Sequence, residues 1–278
     1  MCLRSLIDQK TNRRFEIIVV DSSTDGTSEL VRKKFPGIKL LTFADRKFPG
    51  DARNVAISCA KGTVVAFIDA DCVARNNWIE EISTAHELPF WGIGGAIANG
   101  GPKNLCGWAA YFVEFSHWMP ESPVRQMDDI AAANMSYKKQ IFDICGQFIE
   151  GTYCSDSDFH WRMKRKGYPL LFEPSISILH RSIDRAAPFL KHEFFHGGCF
   201  ARVRVRGQGF NALKRSCYAI LAPFVALKVF VKIVQNNLRN KVYFSRFLKA
   251  ASLVALGVLS WSAGEAVGYV QGPSIKLG

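Results

Sequence analysis

The sequence predicts an α/β domain on a largely parallel sheet, followed by a helical region that is both basic and apolar. Three observations carry that reading. Short apolar runs alternate with helix-forming segments through the first hundred residues, the order expected of a parallel sheet covered by helices. Two of the runs end in acids: Phe15–Val20 leads into Asp21, and Val64–Ile68 leads into Asp69 and Asp71. The net charge of +12 is also unevenly placed. Residues 186–249 hold twelve Lys or Arg and a single acid, Glu193, so the first two thirds are nearly neutral. These features divide the chain into an α/β domain, 1–185, and a helical membrane-associated region, 186–278.

The elements follow in order. Cys2–Asp8 reads as the end of an amphipathic helix, and no basic stretch leading into a long apolar core marks a secretory leader. A strand over Phe15–Val20 is followed by Asp21-Ser-Ser-Thr-Asp-Gly-Thr27, whose hydroxyls and Asp25 suit the start of a helix to Lys34. Ile38–Phe43 is a second strand. A helix from Gly50 to Ala60 is expected to close on Gly62 as its C′ residue. The unbroken apolar run Val64–Ile68 predicts a strand buried on both faces. A helix over 77–88, a strand over 91–98 and a helix over 140–146 complete the pattern. Between them, residues 102–133 are irregular and aromatic, and we expect a helix and a mobile loop bordering a cleft. A further helix runs from about Asp156 to Lys166 and ends at Gly167.

Asp69 and Asp71 project to the same side of an extended chain and can face one cation. Hard divalent ions favour such oxygen ligands and leave positions for phosphate. The order of the elements puts Asp21 and Asp69/Asp71 at the carboxyl ends of two strands of one sheet, the edge where ligands of open α/β sheets bind, so the two acidic stretches are expected to share one cleft. Neither a dinucleotide-binding glycine fingerprint nor a Walker A sequence is present, so a phosphate ligand would lean on a metal. Asp156 falls at a helix N-terminus, where a carboxylate is favoured. Arg162 lies one turn beyond Asp158 and can pair with it, leaving Asp156 free for chemistry. The eight cysteines form no C-x-x-C pair, which fits a reducing, cytosolic compartment without structural zinc. There the sequon Asn134-Met-Ser136 has no meaning as a glycosylation signal.

Together, Phe15–Thr27, Arg53-Asn54 before Thr63–Asp71, Asn134–Lys139, and Asp156–Arg162 with Gly167 and His180 resemble the family 2 glycosyltransferases of GT-A fold. The resemblance covers roughly residues 1–182. It implies inverting transfer from a nucleotide-diphosphate sugar, a UDP-sugar being favoured, with Mg²⁺ or Mn²⁺. In that family's terms Asp21 contacts the base, Arg53 and Asn54 lie near the nucleoside, and Asp69 and Asp71 match the metal-and-diphosphate Asp-x-Asp. Asp156 matches the catalytic base, His180 approaches the metal or diphosphate, and Asp158, Arg162 and Asn134 support the site. The chain departs from the family in three ways. Its usual first strand and following turn are missing, so the sheet is expected to lack a central strand. Ser155 stands where Glu usually precedes the base. The Gln-x-x-Arg-Trp signature of processive synthases is absent, which implies one sugar per encounter.

The helical region contains two apolar segments, Ser216–Leu227 with Pro223 inside it, and Ala250–Gly264 extending with only Glu265 to Ile275. Basic flanks favour the cytoplasmic face and anionic lipid. The expected partners are the donor, a glycan or lipid-linked acceptor of cell-surface polysaccharide synthesis, and membrane lipid. Interleaved apolar residues argue against nucleic acid. The alternatives are a polyprenyl-phosphate sugar synthase and a truncated, catalytically silent binding protein.

Overall fold

The computed structural model describes residues 1–273. Helix α1 (Cys2–Ile7) buries Cys2 and Leu6. Strand β1 (Ile18–Asp21), helix α2 (Thr27–Lys34) and strand β2 (Lys39–Thr42) follow, with β1 and β2 paired in parallel. Helix α3 (Pro49–Cys59) starts with Pro49 in its first turn, where the missing N–H costs nothing. Next come β3 (Val64–Ile68), β4 (Cys72–Ala74), α4 (Trp78–Ala85), β5 (Gly92–Gly101) and α5 (Leu105–Phe115). They lead to β6 (Arg125–Met127), β7 (Asn134–Lys138), α6 (Ile141–Cys145), α7 (Ser155–Arg165) and β8 (Leu170–Arg181).

The larger sheet has the order β3-β7-β5-β8-β4, with β6 also on β8. β5 and β8 are parallel, and β7 runs antiparallel to both β3 and β5, so β3, β5 and β8 share one direction. The architecture is mixed α/β with its principal strands parallel, as the sequence predicts. Asp21 and the Asp69/Asp71 pair, however, do not end strands of one hydrogen-bonded sheet. Among the described residues β1 pairs only with β2, and β3 only with β7.

Three local expectations are corrected. β3 buries Val65 and Phe67 but leaves Ala66 exposed, because it lies at an edge of its sheet. Gly62 does not close α3: the helix ends on Ala60 in extended conformation, and no left-handed residue is needed. The helix expected within 102–133 is present as α5, but its Trp108, Tyr111 and Phe112 are buried in the core and do not border a cleft. Tyr111 satisfies its hydroxyl on the Ile97 carbonyl at 2.8 Å.

The C-terminal region forms three long helices: α8 (Ala186–Gln208), α9 (Ala212–Arg239) and α10 (Phe244–Gln271). Only the last two were anticipated, because the apolar residues of α8 are interrupted by Lys191, Glu193 and three arginines. The end of the apolar run, Ser274 and Ile275, lies outside the described residues. One apolar core passes from Ile93, Ile97 and Ile178 through Phe112 to Phe189, Phe247, Val254 and Val258. α8 and α10 cross with their backbones nearly touching: a Cβ at Gly264 would lie 1.8 Å from the Phe194 carbonyl oxygen, and one at Gly197 would lie 2.1 Å from that of Trp261. Outward, α9 exposes Leu213, Ile220, Phe224 and Leu227, and α10 exposes Leu256, Leu259 and Val270. Only 17% of the most apolar window of α9 is buried, and 28% of that of α10.

Candidate active site

The end of β3 and the register of β4 on β8 assemble the first half of the site. A turn closed by Cys72 N–H on the Asp69 carbonyl (3.0 Å) bends the chain back from β3. β4 then pairs antiparallel with β8, placing Cys72 opposite His180. As a result His180 Nε2 lies 3.5 Å from Asp71 Oδ2. The Phe115 ring packs on the imidazole, centroids 4.6 Å apart. Burial holds His180 below its ordinary pKa against the pull of Asp71 and Asp69. The neutral ring this favours is the metal-binding form.

Asp69 Oδ1 lies 3.7 Å from the Arg53 guanidinium. Both aspartates remain about half exposed, at 46% and 52%. Asp69 is thus open to water yet ringed by protein. That enclosure pushes its carboxyl up, Arg53 opposes the shift, and Asp71 adds to it. The spacing of Asp71 and His180 suits two adjacent ligands of one divalent cation. The Cys72 sulfur is also close, but burial and the two aspartates push its thiol far up, so it offers no thiolate.

Asp156 occupies the first turn of α7. Burial pushes its carboxyl up, Arg53 opposes the shift, and Asp129 reinforces it. Arg53 therefore acts on Asp69 and Asp156 alike. It projects from α3, largely buried, and packs over the Phe67 and Phe148 rings. Arg53, Asp69, Asp71, His180 and Asp156 form one constellation.

The other predicted residues are engaged elsewhere. Asp21, at the end of β1, accepts from Ser23 N–H at 3.0 Å and from the Ser28 hydroxyl. Burial opposes its ionisation, but these bonds prevail and hold its pKa below the usual value. Asn54 clasps the chain before α7, donating to the Phe148 carbonyl (2.9 Å) and accepting from the Phe148 N–H (3.0 Å). Asn134 is buried, donates to the carbonyls of Ala96 and Ile176, and accepts from the Trp78 indole. Asp158 pairs with Arg162 at 2.8 Å, and Arg162 also donates to the carbonyls of Cys145 and Gln147. That pair lines a separate groove between α7 and α8. Asp129 was missed by sequence reading. It sits beside Asp156 and meets the buried His160, which also bonds the Tyr137 hydroxyl. Its only sequence signal was a lone Asp-Asp pair in an irregular stretch.

A mixed sheet whose principal strands share a direction, with Asp-x-Asp at one strand end and an acid-headed helix alongside, defines the GT-A class of nucleotide-sugar transferase folds. Solved structures agree. The mannosyltransferase PcManGT from Pyrobaculum calidifontis, in complex with GDP-Man and Mn²⁺, is 16% identical with a TM-score of 0.56, over 94% of this chain and 81% of that one. GalNAc-T7 with UDP, GalNAc and Mn²⁺ is 15% identical with a TM-score of 0.53, over 73% and 44% of the two chains. The model of glycosyl transferase family 2 matches residues 1–148, and the chain belongs to that family. Curated relatives include glycosyltransferase AglE of Haloferax volcanii, 26% identical over 208 residues, or 69% of this chain and 65% of AglE. The pre-mycofactocin glycosyltransferase of Mycobacterium tuberculosis is 26% identical over 207 residues, or 70% and 43%. The matches thus span under two thirds of the length of these relatives.

Proposed function

We propose that the chain transfers a sugar, with inversion, from a nucleotide-diphosphate sugar to a hydroxyl of a glycan or lipid-linked acceptor at the cytoplasmic face of a membrane. The placing of Arg53 beside Asp69 and Asp156, with His180 beside Asp71, carries the reading. Asp71 and His180 would hold Mg²⁺ or Mn²⁺, and PcManGT and GalNAc-T7 were both solved with Mn²⁺. Such an ion, when bound, offsets the negative charge that develops on the departing diphosphate. Arg53 fixes Asp69 and adds a permanent positive charge beside it.

Asp156 receives the proton of the acceptor hydroxyl. Its raised pKa makes it a stronger base than an exposed aspartate, and a positioned base contributes about 100- to 10,000-fold. Attack opposite the leaving group inverts the anomeric centre in one step. No nucleophilic side chain is required.

The exposed apolar faces of α9 and α10 fit lipid contact. Lys228, Lys232, Arg239, Arg246 and Lys249 are exposed on the same helices, where basic residues favour anionic, cytoplasmic lipid. Docking there would bring a lipid-linked acceptor to the site. Calorimetric titration of the full chain in detergent with UDP and with GDP, with and without Mn²⁺, tests the donor assignment. We expect metal-dependent binding of one nucleotide, weakened at least about tenfold in Asp71→Asn. Binding of neither, or binding indifferent to metal and to Asp71→Asn, would overturn it.

A further inference from the structure

A second cluster lies between α5 and α8, built from residues outside the constellation above. Glu114 comes from the last turn of α5, and His192 and Glu193 from the second turn of α8. His192 Nε2 is 3.7 Å from Glu114 Oε1. One ligand atom from each of the three residues lies within 4.8 Å of the others. Glu193 is fully buried, and among the described residues neither of its carboxylate oxygens has a hydrogen-bond partner. No lysine or arginine pairs with Glu114 or Glu193 among those residues. Burial, followed by repulsion from Asp71, pushes the Glu114 carboxyl up to about 8, against the opposing effect of the Glu193 carboxyl close beside it. An uncompensated buried carboxylate is costly, so the arrangement calls for a positive partner or a proton.

A proton shared between the two glutamates would satisfy one oxygen of Glu193 and leave the other bare. It would leave His192 with only its 3.7 Å approach to Glu114. A divalent cation uses all three residues. We propose that Glu114, His192 and Glu193 bind a second divalent cation, separate from the one assigned to Asp71 and His180. Two carboxylates and an imidazole suit a first-row transition ion such as Mn²⁺, Fe²⁺ or Zn²⁺. His192 remains 43% exposed, which leaves the cluster reachable by the ion. The charges agree. Asp71 and Asp69 lie within electrostatic reach of Glu114, and Glu114 within that of Glu193, so a cation at the cluster would offset local negative charge. The proposal stands apart from the donor assignment, since neither glutamate belongs to that constellation.

The test is a count of bound Mn²⁺ on the full chain in detergent, by equilibrium dialysis with elemental analysis and by electron paramagnetic resonance. Wild type should bind two ions per chain, and Asp71→Asn and Glu193→Gln one each. Glu193→Gln removes the buried charge without changing shape. Should that variant fail to fold, His192→Ala, which alters a partly exposed side chain, should weaken the same ion at least about tenfold. Wild type binding no more than one ion, lost in Asp71→Asn but retained in Glu193→Gln or His192→Ala, would overturn the proposal. The donor assignment would survive that result.

Discussion

Asp156 binds its proton more tightly in the folded chain than in the unfolded one, because burial raises its pKa. Linkage then sets the sign: stability falls as pH rises from the unfolded value, near 4, through the raised folded value, and the ionised side chain costs stability at neutral pH. Asp156→Asn should therefore raise the apparent melting temperature while lowering turnover about 100- to 10,000-fold. Unchanged turnover would remove Asp156 from the mechanism. In wild type, activity should fall on the acid side at a pH above the ordinary aspartate range, readable from the profile of kcat/KM. Asn134 behaves oppositely. It satisfies Trp78 and two buried carbonyls, so Asn134→Ala should cost at least about 2 kcal/mol in denaturant unfolding. Both residues lie in stretches that pointed to function in the sequence. Only their neighbours separate them: Asp156 lies within reach of Arg53 and Asp129, while Asn134 holds the core.

At the scale of elements, the crossing of α8 and α10 depends on glycine where backbones meet. Gly264 and Gly268 are four residues apart on α10, and a Cβ at Gly268 would lie 2.5 Å from the Gly198 carbonyl oxygen. Small residues at this spacing let helices approach closely, as in membrane helix pairs. A methyl group at Gly264 cannot be accommodated without separating the helices. Gly264→Ala should speed amide hydrogen exchange in both α8 and α10 while β1 and β2 keep their protection. Equal protection in the variant would show that the helices absorb the change. α8 was the least legible element, since its charges hide its pattern and its buried face exists only against distant elements, chiefly α10. The helix 27–34 and the strand 64–68 were legible because their signals are local: an apolar run in the strand, and before the helix the left-handed Gly26 at the N-cap with Asp25 accepting from Thr27 N–H at 3.0 Å.

For the whole molecule, the core crosses the change of composition at 185/186. Trp108 and Phe112 of α5 pack against Tyr243 and Phe247 beyond it, tilted and edge-to-face respectively. A chain ending at 185 would expose that surface, and we expect it to aggregate when expressed alone; a soluble monomer with a cooperative melt would contradict this. α9 has 28 residues, a length of about 42 Å, enough to cross a hydrocarbon layer of about 30 Å. The full chain should stay with membranes through 1 M salt and alkaline carbonate and leave only in detergent. Release by salt alone would mean that the basic residues, and not the apolar faces, hold it there.

The sequence by itself determined the α/β order, the Asp-x-Asp at the end of a strand, the acid at the start of α7 and the basic, apolar tail. Each is a local matter of apolar periodicity, helix ends or charge, and is written within a few neighbouring residues. Tertiary structure alone decided which acids meet. His180 reaches Asp71 through the register of β4 on β8, and Arg53 comes to Asp69 from a helix outside the sheet. It also decided that Glu193, one acid in a basic helix, is buried beside Glu114 from 79 residues earlier. Burial and distant pairing set the cost of a charge, and neither is visible in a residue's immediate neighbours.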